Sequence, residues 1–240
     1  MNINDVNYVD YGTNKKGVIV LLHGWGQNIE MMDMLGHPFE KTHRIIILDF
    51  PGFGATPEPD SFWSVTDYTN FLHEFLTSLN VKNPILIGHS FGGRVAICYA
   101  SKYKTEKVVL LSAPFRPSKK KKSNMKVKIY KVVKKVKLFK PLADYLRNKW
   151  GSADYKNASD ILRGSLVKIV NEDLTENAKN ITCPTLLIYG VLDTDVPIKE
   201  AEDLEKLISD AGLVKYEGAH HYAYLENLNQ TIAILHNFLD

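Results

Sequence analysis

The 240-residue chain is 45% hydrophobic and 24% charged with a net charge of +3, a balance that suits a folded globular protein and excludes extensive disorder. Two cysteines are too few for a disulfide framework, and no run approaches the roughly 18 uninterrupted apolar residues of a membrane span. The polar stretch from Met1 to Tyr11 lacks the basic start and apolar centre of a signal peptide, so a cytoplasmic location is expected.

Four short runs come first: Val18 to Leu22, Ile45 to Leu48, Ile85 to Ile87 and Val108 to Leu111. They are rich in β-branched residues and apolar at successive positions. Continuous apolarity predicts strands covered on both faces, as in a parallel sheet flanked by helices. Between the second and third lies a helical stripe, Val65, Tyr68, Phe71, Leu72, Phe75, Leu76 and Leu79, with Ser64 or Thr66 placed to cap its start. Further on, Thr185 to Tyr189 reads as a strand, Glu200 to Ile208 as a helix and Leu213 to Tyr216 as a strand. A closing helix runs from about Asn227 to Leu239. This alternation predicts one doubly wound α/β domain with a mostly parallel sheet, built from residues 1–114 and 181–240. Cys98 falls inside a predicted helix and Cys183 just before a strand, both as small buried fillers.

Residues 115–180 interrupt that grammar with helical patterns and no convincing strand. Between Pro117 and Lys149 twelve Lys and one Arg face a single Asp, a local charge of +12 that leaves −9 for the rest of the chain. Met125, Ile129, Val132, Val136 and Phe139 form one apolar stripe, while Lys126, Lys128, Lys131, Lys134, Lys135 and Lys137 take most of the remaining surface. The segment is expected to be a helical cap inserted after the fifth or sixth strand, over the strand ends where open α/β sheets bind ligands. Its lysines face solvent in the plainer reading. In the sharper one they contact an anionic substrate or anionic lipid. Nucleic-acid binding is not expected, because aromatic interleaving and any recognised motif are missing.

Gly88-His89-Ser90-Phe91-Gly92-Gly93 follows one strand and opens a helical stretch. A serine on a sharp strand-to-helix turn is exposed for attack, and the helix start behind it offers free N–H groups to a developing anion. Such a hydroxyl needs a base, and the base needs an acid to orient it. In the order Ser, acid, His, the downstream histidines are His220, His221 and His236, of which His236 falls in the closing helix. The strand ending at Tyr189 is followed by two candidate acids, Asp193 and Asp195.

Other motifs stand in the same order. His23-Gly24-Trp25-Gly26 follows the first run, and Asp49-Phe50-Pro51-Gly52-Phe53-Gly54 follows the second. Gly190-x-x-Asp193 precedes Val196-Pro197, and Gly218-Ala219-His220-His221-Tyr222 follows the last strand. Over about Val18 to Leu239 the chain resembles the α/β-hydrolase superfamily, in its serine-nucleophile, capped branch. The resemblance implies Ser90 as nucleophile, His221 as base and Asp193 as acid. His220 departs from the family's glycine at that place, and alignment on Gly218-Ala219 and Leu225-Glu226-Asn227 assigns the base to His221. The backbone N–H groups of Trp25 and Phe91 are then the oxyanion hole. His23 is expected to brace its loop, His89 to point away from the hydroxyl, and Asp195 to cap or orient the helix around Lys199 to Ile208. The implied activity is hydrolysis of a small acyl substrate through an acyl-enzyme, with no metal or organic cofactor. A thioesterase, a carbon–carbon bond hydrolase and a non-catalytic ligand-binding protein are the alternatives on the same scaffold.

Overall fold

The computed structural model describes residues 2–117 and 158–239. Among them, β1 (Tyr8–Gly12), β2 (Val18–Leu22), β3 (Arg44–Leu48), β4 (Ile85–His89), β5 (Lys107–Leu111), β6 (Thr185–Gly190) and β7 (Ala211–Tyr216) form one sheet. The strand order is β1-β3-β2-β4-β5-β6-β7. All neighbours are parallel except β1, which runs antiparallel to β3. The expected doubly wound sheet is therefore present.

Successive side chains of each central strand feed two separate cores. Val18, Val20 and Leu22 pack with α2 (Val65–Ser78), α3 (Phe91–Ala100) and α6 (Ile198–Leu207) on one face. Ile19 and Leu21 pack with α1 (Glu30–Gly36), α7 (Ala223–Glu226) and α8 (Leu228–Leu239) on the other. Every residue of β2, β4 and β6 is buried, as continuous apolarity required. β1 escaped the sequence reading: it lies at the sheet edge, its residues alternate between exposed and half-buried, and Asp10 sits in its middle.

Local details refine the expected boundaries. Of the two candidate caps for α2, Ser64 is the one used: its hydroxyl accepts the Asp67 amide, and the Asp67 carboxylate accepts the Ser64 amide at 2.7 Å. Helix α6 starts at Ile198, and its cap position is Pro197, which makes no side-chain cap bond. Asp195 therefore does not stand at that cap; proline at the cap position pre-sets the turn instead. Cys98 and Cys183 are both free and buried. No helix among the described residues is long and apolar enough to cross a membrane.

Two helices fall in the interval expected to form the insertion, α4 (Asp160–Asn171) and α5 (Thr175–Lys179). Leu162, Ile169 and Leu174 join the same apolar cluster as α2 and α3. The Trp63 amide donates to the Ser165 hydroxyl at 2.8 Å, and the Val65 amide to the Glu172 carboxylate at 2.8 Å. At the base of the excursion the Leu174 amide donates to the Phe115 carbonyl at 2.7 Å. There the buried Arg94 guanidinium donates to the carbonyls of Pro114 at 3.1 Å and Glu172 at 2.6 Å. The lysine-rich stripe from Met125 to Phe139 lies outside the described residues.

Asp49, at the end of β3, ties three segments together. Its carboxylate accepts the Ile29 amide at 2.8 Å, the Asn7 side-chain amide at 2.7 Å and the Ala55 amide at 2.9 Å, while only 2% exposed. Removing the acceptor strands these donors, so Asp49→Ala is expected to lower unfolding free energy by about 2–3 kcal/mol, read as a reduced urea midpoint with unchanged slope.

Candidate active site

Ser90 lies between β4 and α3 with φ 49° and ψ −108°, a left-handed region that side chains rarely adopt. Its amide donates to the Leu111 carbonyl at 2.9 Å, and its carbonyl accepts the Arg94 amide at 3.1 Å. The turn is this sharp because α3 comes very close to the sheet. A Cβ at Gly92 would collide with the Leu22 carbonyl oxygen, so only glycine fits there.

Two further loops converge on this serine from the carboxyl ends of β6 and β7. The His221 Nε2 atom lies 3.1 Å from the Ser90 Oγ, and the His221 Nδ1 atom lies 2.7 Å from Asp193 Oδ2. The second Asp193 oxygen accepts the amides of Asp195 at 2.8 Å and Val196 at 2.9 Å. The two loops are stitched directly, since the Leu192 amide donates to the Ala219 carbonyl at 2.9 Å. Gly190 permits this approach, because a Cβ there would strike the carbonyls of Ala219 and His220. Ser90, His221 and Asp193 thus form one hydrogen-bonded line, able to move a proton from the hydroxyl to the imidazole.

The other candidates are placed elsewhere. His220 is exposed, and its amide and ring both face the Glu226 carboxylate, at 3.0 Å and 3.3 Å. His236 lies on α8 with its ring 4.5 Å from that of Phe39. Asp195 contributes its amide, not its carboxylate, to the Asp193 turn. Asp193, Asp195 and His221 each offer an atom within 4.8 Å of the others, a spacing a metal ion could bridge. The Asp193 oxygens, however, are already engaged by His221 and by two amides.

The two amides expected to bind an anion lie on the residue after the serine and on the loop after β2. Phe91 is the first residue of α3, where an amide has no intrahelical partner. Trp25 sits on the loop after β2, its ring held edge-on against Phe53 at 4.8 Å and Phe91 at 5.5 Å. His23 braces that loop: its Nε2 accepts the Phe50 amide at 2.9 Å, and its Nδ1 meets the Gly24 carbonyl at 2.7 Å. His89 points away from the hydroxyl. Its Nδ1 lies 3.2 Å from Gln27 Oε1 and its Nε2 lies 3.2 Å from the His221 carbonyl. Sequence reasoning did not single out Gln27, whose contacts with His89 and Tyr222 cross to distant loops, and it used Glu226 only to align the His220-His221 loop.

Burial sets the protonation around the site. Desolvation pushes the His23 imidazole down to about 4 and that of His89 down to about 3, so both rings are neutral near pH 7. For Asp193 burial acts in the opposite direction, favouring the acid. The hydrogen bonds from His221, Val196 and Asp195 outweigh it and hold the carboxyl below its ordinary value.

Comparison with known proteins gives the same architecture. The family model of the α/β hydrolase fold matches residues 17–130. The AB hydrolase superfamily protein YisY of Bacillus subtilis is 25% identical, the match covering 92% of this chain and 90% of that protein. A pimeloyl-[acyl-carrier protein] methyl ester esterase of Aliivibrio salmonicida is also 25% identical, over 92% of this chain and 91% of its own. The crystal structure of a hydrolase from Pseudomonas aeruginosa superposes with a TM-score of 0.78 at 21% identity, covering 98% of this chain and 94% of that one.

The two neutral histidines carry a pH signature. Unfolding restores their ordinary value of 6.5, so between 6.5 and about 4 each ring gains a proton only in the unfolded chain. Their contribution is whole above pH 6.5 and is lost on acidification, by up to about 1.4 kcal/mol per pH unit for each. Asp193 adds a further loss only below its unfolded value of 3.8. Urea midpoints should therefore fall steadily from pH 6.5 to 4, and His23→Gln should roughly halve that slope.

Proposed function

We propose that this chain, an α/β hydrolase by its fold and family match, is a serine hydrolase that cleaves small carboxylic esters through an acyl-enzyme on Ser90. The observation that carries the reading is the hydrogen-bonded line from Ser90 Oγ through His221 to Asp193, centred on a serine held in a strained turn. The match to a relative named as a methyl ester esterase supports esters as the substrate class.

In this reading His221 Nε2 takes the Ser90 proton as Oγ attacks the ester carbonyl carbon. The carbonyl oxygen becomes an oxyanion that accepts from the Trp25 and Phe91 amides, donors worth about 3–4 kcal/mol each in acyl transfer. Collapse breaks the bond to the leaving oxygen, which departs as an alcohol carrying the proton from His221. Water then gives a proton to the same nitrogen and attacks the acyl carbon. The second collapse releases the acid and returns the proton to Ser90. Asp193 accepts the Nδ1–H throughout, fixing the tautomer and stabilising the imidazolium without taking its proton. None of these steps calls for a metal or an organic cofactor. A small acyl compound is the expected partner. The basic segment between Pro117 and Lys149 adds attraction for anionic substrates or anionic lipid.

A fluorescent fluorophosphonate should label the wild type and leave Ser90→Ala unlabelled. On p-nitrophenyl esters of graded chain length, Ser90→Ala is expected to lose on the order of 10⁵-fold in kcat. Asp193→Asn should lose about 10⁴-fold while folding normally. Full activity in Ser90→Ala would overturn the reading.

A further inference from the structure

In the proposed reaction the Trp25 amide must meet the oxygen of the carbonyl that Ser90 attacks while His221 takes the Ser90 proton, yet their loops leave β2 and β7. In the sheet those strands are separated by β4, β5 and β6, so no backbone ladder joins the two loops. We propose that Gln27 and His89 form a side-chain bridge that sets this separation, making both of them positioning residues for the reaction at Ser90. The inference rests on the ester-hydrolase reading of the site.

The bridge has a defined geometry. Gln27 Oε1 accepts the Gly24 amide at 2.9 Å, next to Trp25, and faces His89 Nδ1 at 3.2 Å. Gln27 Nε2 donates to the Tyr222 hydroxyl at 2.9 Å, next to His221. His89 Nε2 meets the His221 carbonyl at 3.2 Å. The Gly24 amide fixes which end of the Gln27 side chain is oxygen, because the opposite orientation would set two donors against each other. Space is fixed as well. A Cβ on Gly24 would lie 2.8 Å from His89 Nδ1 and 2.9 Å from Gln27 Oε1, so the loop rests on the bridge with nothing between.

His89 is the immobile part. It is 1% exposed, directly precedes Ser90, and packs its ring at a tilt 5.0 Å from that of His221 and 5.1 Å from those of Tyr222 and Tyr224. Both of its nitrogens face acceptors, while a neutral ring carries a single N–H. The ring therefore donates to one loop and packs against the other, and Gln27 supplies the link that the ring alone cannot complete. A shift of even about 1 Å in either loop misaligns base and oxyanion donors, a displacement that costs on the order of 10²-fold in rate.

The test compares Gln27→Leu, His89→Leu, the double variant and Gln27→Glu, which keeps an acceptor for Gly24. Two readouts are used, the rate of fluorophosphonate labelling at Ser90 and kcat on a p-nitrophenyl ester. Each leucine variant is expected to lose about 10- to 100-fold in both, with KM little changed. The double variant should lose no more than the worse single one, and Gln27→Glu should recover most of the loss. Labelling of Gln27→Leu at the wild-type rate would overturn the bridge, as would losses that multiply in the double variant. Should His89→Leu fail to fold, the two Gln27 variants still decide. A folded wild type that resists labelling altogether would instead count against the ester-hydrolase reading.

Discussion

The strained backbone at Ser90 is the constraint on which the rest of the site depends. A non-glycine residue at φ 49° costs on the order of 1–3 kcal/mol and persists only where its surroundings over-determine it. Here they do. The Ser90 amide is spent on Leu111 of the neighbouring strand, its carbonyl caps into α3, and Gly92 lets the helix come against Leu22. Ser112, at the end of the adjacent strand, is also left-handed at φ 47°, and its amide is held by Ile188. Two neighbouring strands thus end in turns that throw the chain sharply off the sheet. The parallel arrangement puts both ends on one side, where the loops after β6 and β7 arrive as well.

Electrostatics follow from how this convergence is packed. Three histidines lie within the same small region, yet burial treats them differently. His23 and His89 are enclosed and neutral, His23 facing the backbone of Gly24 and Phe50 and His89 facing Gln27 and the His221 carbonyl. His221 keeps 18% of its side chain exposed and has the one fully buried carboxylate of the site, that of Asp193, behind it. Only this ring has both an acceptor for the proton it already holds and a hydroxyl in reach of its other nitrogen. Position relative to charge, rather than residue type, separates the proposed base from two braces.

Much of this was legible in the sequence. Runs such as Val18 to Leu22 marked the central strands because burial on both faces removes any need for polar alternation. Ser90 stood out because its glycines answer to a steric requirement that any strand-to-helix turn of this sharpness imposes. The choice between His220 and His221 needed a resemblance, since adjacent residues in a loop differ in direction and not in pattern. In the structure His220 is turned to Glu226 and His221 to Ser90. β1 was missed because an edge strand alternates between exposed and half-buried positions and carries polar residues. Gln27 was missed because the partners that matter to its placement, His89 and Tyr222, lie 62 and 195 residues away, beyond any local signal.

Physical reasons place substrate choice away from the proton path. A hydrogen-bonded serine, histidine and aspartate serve many acyl groups equally, so the fold and the proton path carry no information on chain length or charge. That information must come from side chains around the acyl group. Beside Ser90, Phe91 belongs to an aromatic cluster in which the Trp25 ring stands edge-on to both Phe53 and Phe91. The charge of the chain is also uneven, +12 between Pro117 and Lys149 against −9 elsewhere. At physiological ionic strength such a field decays over about 8 Å, so it acts on what approaches that segment.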